Sequence, residues 1–108
     1  MSFKKNRQSK RLVVDLFVNK FVGDEPFACC AKNLSADGVY LHRLIEPMRT
    51  DAEDFVGLEF VLPGNEEVIW ASGKIIREEQ DGDVGIQFLS MAERHRQMLS
   101  EFVAQVNA

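Results

Sequence analysis

From Leu12 onward the chain is cut into short runs rich in β-branched and aromatic residues, each closed by Gly, Pro, Asn or Asp. That punctuation favours antiparallel strands joined by tight turns, because a parallel pair needs a crossover of a dozen or more residues. Leu12–Val22 reads as the first strand, ended by Gly23-Asp24-Glu25-Pro26. Residues 27–32 read as the second. Asn33-Leu34-Ser35-Ala36-Asp37-Gly38 is turn chemistry, with side-chain oxygens for the backbone and a glycine that permits positive φ. Residues 39–42 read as the third strand, 44–53 as a loop holding Pro47, and 55–62 as the fourth strand. Pro63-Gly64-Asn65 is a hairpin turn, 67–78 a long fifth strand, Gln80-Asp81-Gly82-Asp83 a second hairpin turn, and 84–89 the sixth strand.

In the fifth strand, alternation puts Val68, Trp70, Ser72, Lys74 and Ile76 on one face. The smaller set Ile69, Ala71, Gly73 and Ile75 takes the other, which suits a barrel interior. Trp70, the single tryptophan, is read as core or interface packing.

The period changes after Leu89. Ser90 and Glu93 have the spacing of a capping box, and Met91, Met98, Leu99, Phe102, Val103 and Val106 recur at helical intervals. One amphipathic helix over residues 90–107 is expected, as a lid on the barrel or a face for a partner. The fold class is all-β: a small six-stranded antiparallel barrel with one C-terminal helix, in a single domain over residues 1–108.

Charge is unevenly placed. Lys4, Lys5, Arg7, Lys10 and Arg11 give residues 1–11 a charge of +5 with no acid. The remainder keeps 8 of the 13 basic side chains and all 17 acidic ones, a balance of −9. A basic arm on an acidic body implies an anionic target for the arm, while the body repels nucleic acid. With Phe3 its one apolar residue between Ser2 and Arg11, the arm is expected to be flexible and to order on a ligand. No run of 18 apolar residues exists, and the N-terminus lacks the apolar stretch of a secretory signal. The expected location is cytoplasmic.

Reactive groups are sparse. His42 and His95 are the only imidazoles, and no nucleophile motif, phosphate loop or dinucleotide fingerprint is present. Cys29 and Cys30 are adjacent, so in a strand they point to opposite faces; they are read as two reduced strand residues, with no zinc pattern. No catalytic residue, metal site or cofactor is assigned, and the chain is read as a non-enzyme.

What remains is Arg7-x-x-x-Arg11 before the first strand and Asn33-x-Ser35-x-x-Gly38 between the second and third. A guanidinium offers a planar fork of donors to phosphate oxygens or to the Hoogsteen edge of guanine. Both motifs, in this order on six strands, resemble the two-part signature of PilZ domains. Val84-Gly85-Ile86-Gln87-Phe88-Leu89 is similar to that family's last barrel strand.

The resemblance implies a split-barrel receptor for cyclic di-GMP, with an N-terminal arm closing over the ligand. Arg7 and Arg11 would hold phosphates and guanine edges, Asn33 and Ser35 would bond to a base or its phosphate, and Gly38 would keep the turn clear of a side chain. Lys10, Asp37 and Ile76 are further candidate contacts. Many members carry another arginine where this chain has Asn6, which bears on whether one ligand or an intercalated pair is bound. The output would pass to an unidentified downstream protein, from a monomer or a homodimer. Two alternatives stand beside this: a PilZ-like protein–protein adaptor that binds no nucleotide, and a basic arm that binds DNA or RNA.

Overall fold

The computed structural model describes residues 11–44 and 54–106. The expectations for residues 1–10, including the roles of Arg7 and Lys10 and the flexibility of the arm, lie outside the described residues. So does most of the expected loop 44–53.

The described residues form β1 (Leu12–Val22), β2 (Glu25–Leu34), β3 (Gly38–Arg43), β4 (Phe55–Phe60), β5 (Ile69–Glu78), β6 (Val84–Met91) and the helix α1 (Glu93–Val106). The strands close into a barrel in the order β1-β2-β3-β6-β5-β4, with every neighbouring pair antiparallel. β2 extends beyond the expected 27–32 at both ends. The turn at Gly23 and Asp24 is tight enough for pairing to resume at Val22 and Glu25, and at the far end it continues to Leu12 and Leu34.

Period-2 alternation fills the interior. Leu34, Val39, Ile86 and Ile75 lie in register across β2, β3, β6 and β5, and all four are buried. On β5, Ile69, Ala71, Gly73 and Ile75 point inward and Trp70, Ser72, Lys74 and Ile76 outward, as the alternation predicts. Trp70 is half exposed and packs on Phe21, with ring centroids 5.5 Å apart, so it belongs to the outer face. Cys29 is fully buried, while Cys30 faces outward and donates to Asp15 Oδ1; both are free thiols. Lys20 shares the inward face of β1 with Val18 and is fully buried.

The helix is a lid. Leu99 and Val103 are buried in the barrel core, and Met98 and Phe102 pack against it. The capping box does not form. Ser90 is a strand residue paired with Ser72, the helix begins at Glu93, and the Arg96 N–H reaches back to the Ala92 carbonyl. The β6 ladder holds Ser90 in extended backbone, which removes it from the helix start. Arg94 and His95 instead tie the helix to the segment before β5. Arg94 donates to both carboxylate oxygens of Glu67, and His95 bonds Glu67 Oε2 through Nε2 at 3.1 Å. The Trp70 N–H donates to His95 Nδ1.

Candidate functional site

The turn between β2 and β3 is built by Ser35. Its Oγ accepts the N–H groups of Asp37 and Gly38, each at 3.1 Å, and its own N–H donates to the Gly38 carbonyl at 2.9 Å. A hydroxyl used this way replaces the missing ladder bonds of a turn. Three of the turn's N–H donors, those of Ser35, Asp37 and Gly38, are therefore taken up within the turn, which leaves less of an anion-binding concavity than the sequence alone implies. The Phe88 N–H donates to the Asp37 carbonyl at 2.8 Å and pins the turn to β6.

Gly38 does not have positive φ; among the described glycines that conformation falls at Gly23, Gly64 and Gly82. Its requirement is space. A β-carbon at Gly38 would overlap the Ile86 carbonyl oxygen, so the motif glycine lets β3 approach β6.

Strand pairing brings the two motif regions together. Leu12 pairs with Leu34 and Val13 with Asn33, so Arg11, immediately before β1, stands beside the turn 33–38. Arg11 is exposed, and its guanidinium has no ion pair among the described residues. Asn33 is half-buried on the outer face. Asp37 is exposed at the tip of the turn. Ile76 is exposed on β5, on the far side of β3 and β6 from the turn.

The outer surface beside the turn runs in rows. Val13, Asn33, Tyr40, Gly85 and Arg77 are in register across β1, β2, β3, β6 and β5. The next row runs Gly38, Gln87, Lys74, Phe55, with the Lys74 ammonium 5.9 Å from the Phe55 ring centre. The Arg77 guanidinium lies 5.8 Å from the Tyr40 ring centre, and its Nε donates to Glu79 at 2.6 Å. Glu79 holds the Arg77 pKa above its usual value. Desolvation raises the Tyr40 phenol, with Asp83, Glu79 and Asp81 adding to the rise and Arg77 opposing it. Asp83 also takes His42 Nδ1 at 2.7 Å.

The PilZ domain family model matches residues 5–105. The chain belongs to the PilZ family. Its match extends over the stretch before β1 that carries Arg7 and Arg11, through the barrel and into the helix. Among solved structures, this PilZ domain is similar to the inhibitor of motility MotI/DgrA from Bacillus subtilis, at TM-score 0.80 and 18% identity over 96% of the chain. It spans about half, 52%, of that protein's length. It is also similar to the PilZ domain of CeSA from a cellulose-synthesizing bacterium, at TM-score 0.68 and 17% identity, covering 92% of this chain and 99% of that one. No curated protein sequence matches it. PilZ domains are receptor or adaptor domains. Among the described residues no helix is long and apolar enough to cross a membrane, and no group of three His, Cys, Asp or Glu side chains is placed to hold a metal.

Tyr40 and Arg77 carry no signal in the sequence as members of this face, and Lys74 and Gln87 are legible there only as strand residues. None of the four falls in the two-part motif, and only the strand register brings them to the face that carries the turn.

Proposed function

We propose that this PilZ domain is a cyclic di-GMP receptor that binds its ligand on the outer face beside the turn 33–38 and signals to a partner protein. The observation that carries the reading is the pairing of Leu12 with Leu34, which sets Arg11 next to that turn. Arg11 supplies a forked donor for phosphate oxygens or a guanine Hoogsteen edge. Arg7 and Lys10, close to it in sequence, add charge. Asn33 contributes a half-buried amide at the rim. Ser35 holds the turn in shape with both lone pairs of its hydroxyl on turn N–H groups, so what it offers the ligand is its O–H, while Gly38 keeps the strands close.

Each charge-assisted hydrogen bond returns about 1.5–3 kcal/mol, and ordering some five residues costs on the order of 5–10 kcal/mol. Several such bonds from two arginines leave a net near −8 kcal/mol, about a micromolar Kd. The partner surface is assigned to the outer face around Trp70, where half the ring remains exposed beside Phe21, and Phe17 on β1 is also exposed.

Calorimetric titration with cyclic di-GMP tests the reading. The wild type is expected to bind at micromolar or better, and Arg11→Ala to lose about 2–4 kcal/mol. Arg11→Lys should not restore it, because an ammonium lacks the fork. Unchanged affinity in Arg11→Ala would remove this site assignment, and no binding by the wild type would favour the adaptor that takes no nucleotide.

A further inference from the structure

The outer row Asn33, Tyr40, Gly85, Arg77 crosses four adjacent strands. Its two ends differ chemically. At the turn end stands Arg11, with no described carboxylate in an ion pair with it. Away from the turn, Arg77 on β5 and Tyr40 on β3 have acids about them: Glu79 bonded to Arg77, and Asp81 and Asp83 close enough to bear on Tyr40. A phosphate is repelled from the acidic end and drawn to Arg11. A neutral base is not repelled, and guanine carries both kinds of complement: O6 and N7 acceptors on one edge and an amino donor on the other.

The geometry between the ends suits a flat ligand. Gly85 lies between Tyr40 and Arg77 and has no side chain. A β-carbon there would stand 3.6 Å from Arg77 Cβ and 3.8 Å from Tyr40 Cδ1, so the protein would tolerate a methyl, but the floor between the two side chains would be filled. Glu79 takes the Arg77 Nε–H and holds the guanidinium over one face of the Tyr40 ring, which leaves a base the other face or the ring edge to stack on. The terminal amino groups of the guanidinium are left to a ligand. Three strand spacings separate Asn33 from Arg77, at most roughly 14 Å along the row, so an elongated ligand is needed to touch both ends.

Resting on the receptor reading above, we propose that Tyr40 and Arg77 form a guanine subsite that runs from β3, beside Asn33, to β5 at the end of the row away from Arg11. Tyr40 is the stacking surface, Arg77 the donor to the O6/N7 edge, and Gly85 the open floor. The subsite reads the base, while Arg11 and the turn hold the phosphate end.

The test is calorimetric titration of the wild type, Arg77→Ala, Tyr40→Phe, Tyr40→Ala, Gly85→Ala and Arg11→Ala with cyclic di-GMP and with cyclic di-AMP, whose adenine presents an amino donor where guanine has O6. Arg77→Ala is expected to weaken cyclic di-GMP roughly tenfold and to shrink the preference over cyclic di-AMP by a similar factor. Tyr40→Ala should weaken both nucleotides roughly tenfold, and Tyr40→Phe should not. Gly85→Ala should weaken binding with an unchanged thermal unfolding midpoint. If Arg11→Ala loses binding while Arg77→Ala keeps wild-type affinity, or loses both nucleotides equally, the subsite is overturned and the receptor stands. If the wild type binds no cyclic di-GMP, both fall.

Discussion

The α-carbon of Gly38 lies so close to the backbone carbonyl of Ile86 that a β-carbon there would overlap the oxygen. The glycine of the second motif is thus required by the barrel itself. Gly38→Ala is expected to push β3 from β6 and destabilise the domain by about 1–3 kcal/mol. A fall in thermal midpoint of about 5 °C or more checks this, measured without ligand so that binding plays no part.

Ser35 supports the same turn by accepting two N–H groups. Ser35→Ala leaves both donors to water and should cost about 1 kcal/mol. Hydrogen exchange should accelerate at the amides of Asp37 and Gly38 and remain slow at Leu41, whose side chain lies in the core. Equal rates at the two turn amides in both proteins would refute the role.

Leu99 is fully buried where the helix meets the barrel. Leu99→Ala removes that contact and leaves a cavity, for an expected loss of about 2–5 kcal/mol in chemical denaturation. Ser100, exposed on the next position, should accept alanine within about 0.5 kcal/mol.

Hydrogen bonds from Arg94 and then His95 hold the Glu67 carboxyl at about 2, below its ordinary 4.5. A depressed carboxylate contributes stability above its unfolded value and loses it as pH falls toward the folded one. The stability difference between wild type and Glu67→Gln should therefore be constant above about pH 5 and shrink between pH 4.5 and pH 2. Denaturation midpoints of both proteins across that range are the measurement. Because the pair is exposed, added salt should reduce the difference.

The strands were legible because their alternation and turn residues agree, and β1 was read to its last residue. The outer face was less legible, and the cause is the bulges. In β2, Cys29 and Ala31 point inward, so strict alternation would bury Asn33. The extra residue between Ala31 and Asn33 against β3 returns Asn33 to the surface and Leu34 to the core. In β5, the extra residue between Ile75 and Arg77 puts Ile76 and Arg77 both outside, where the period predicts Arg77 inside. Tyr40 and Arg77 could not be joined from sequence, since their neighbourhood depends on β3 pairing with β6 across two other strands. Lys20 shows the reverse: alternation with Val18 places it inside, where its charge alone would place it in water.

Closure of the barrel through β1 and β4 gives every strand a neighbour on both sides. Among the described residues the pairing of β1 with β4 covers Val18–Phe21 alone, so the backbone edge left over for an extended peptide to join is confined to stretches such as 12–17. Away from such a stretch, a protein that docks on the described barrel meets a relief of side chains, and a nucleotide settling among those side chains would redraw that relief without unzipping a single strand.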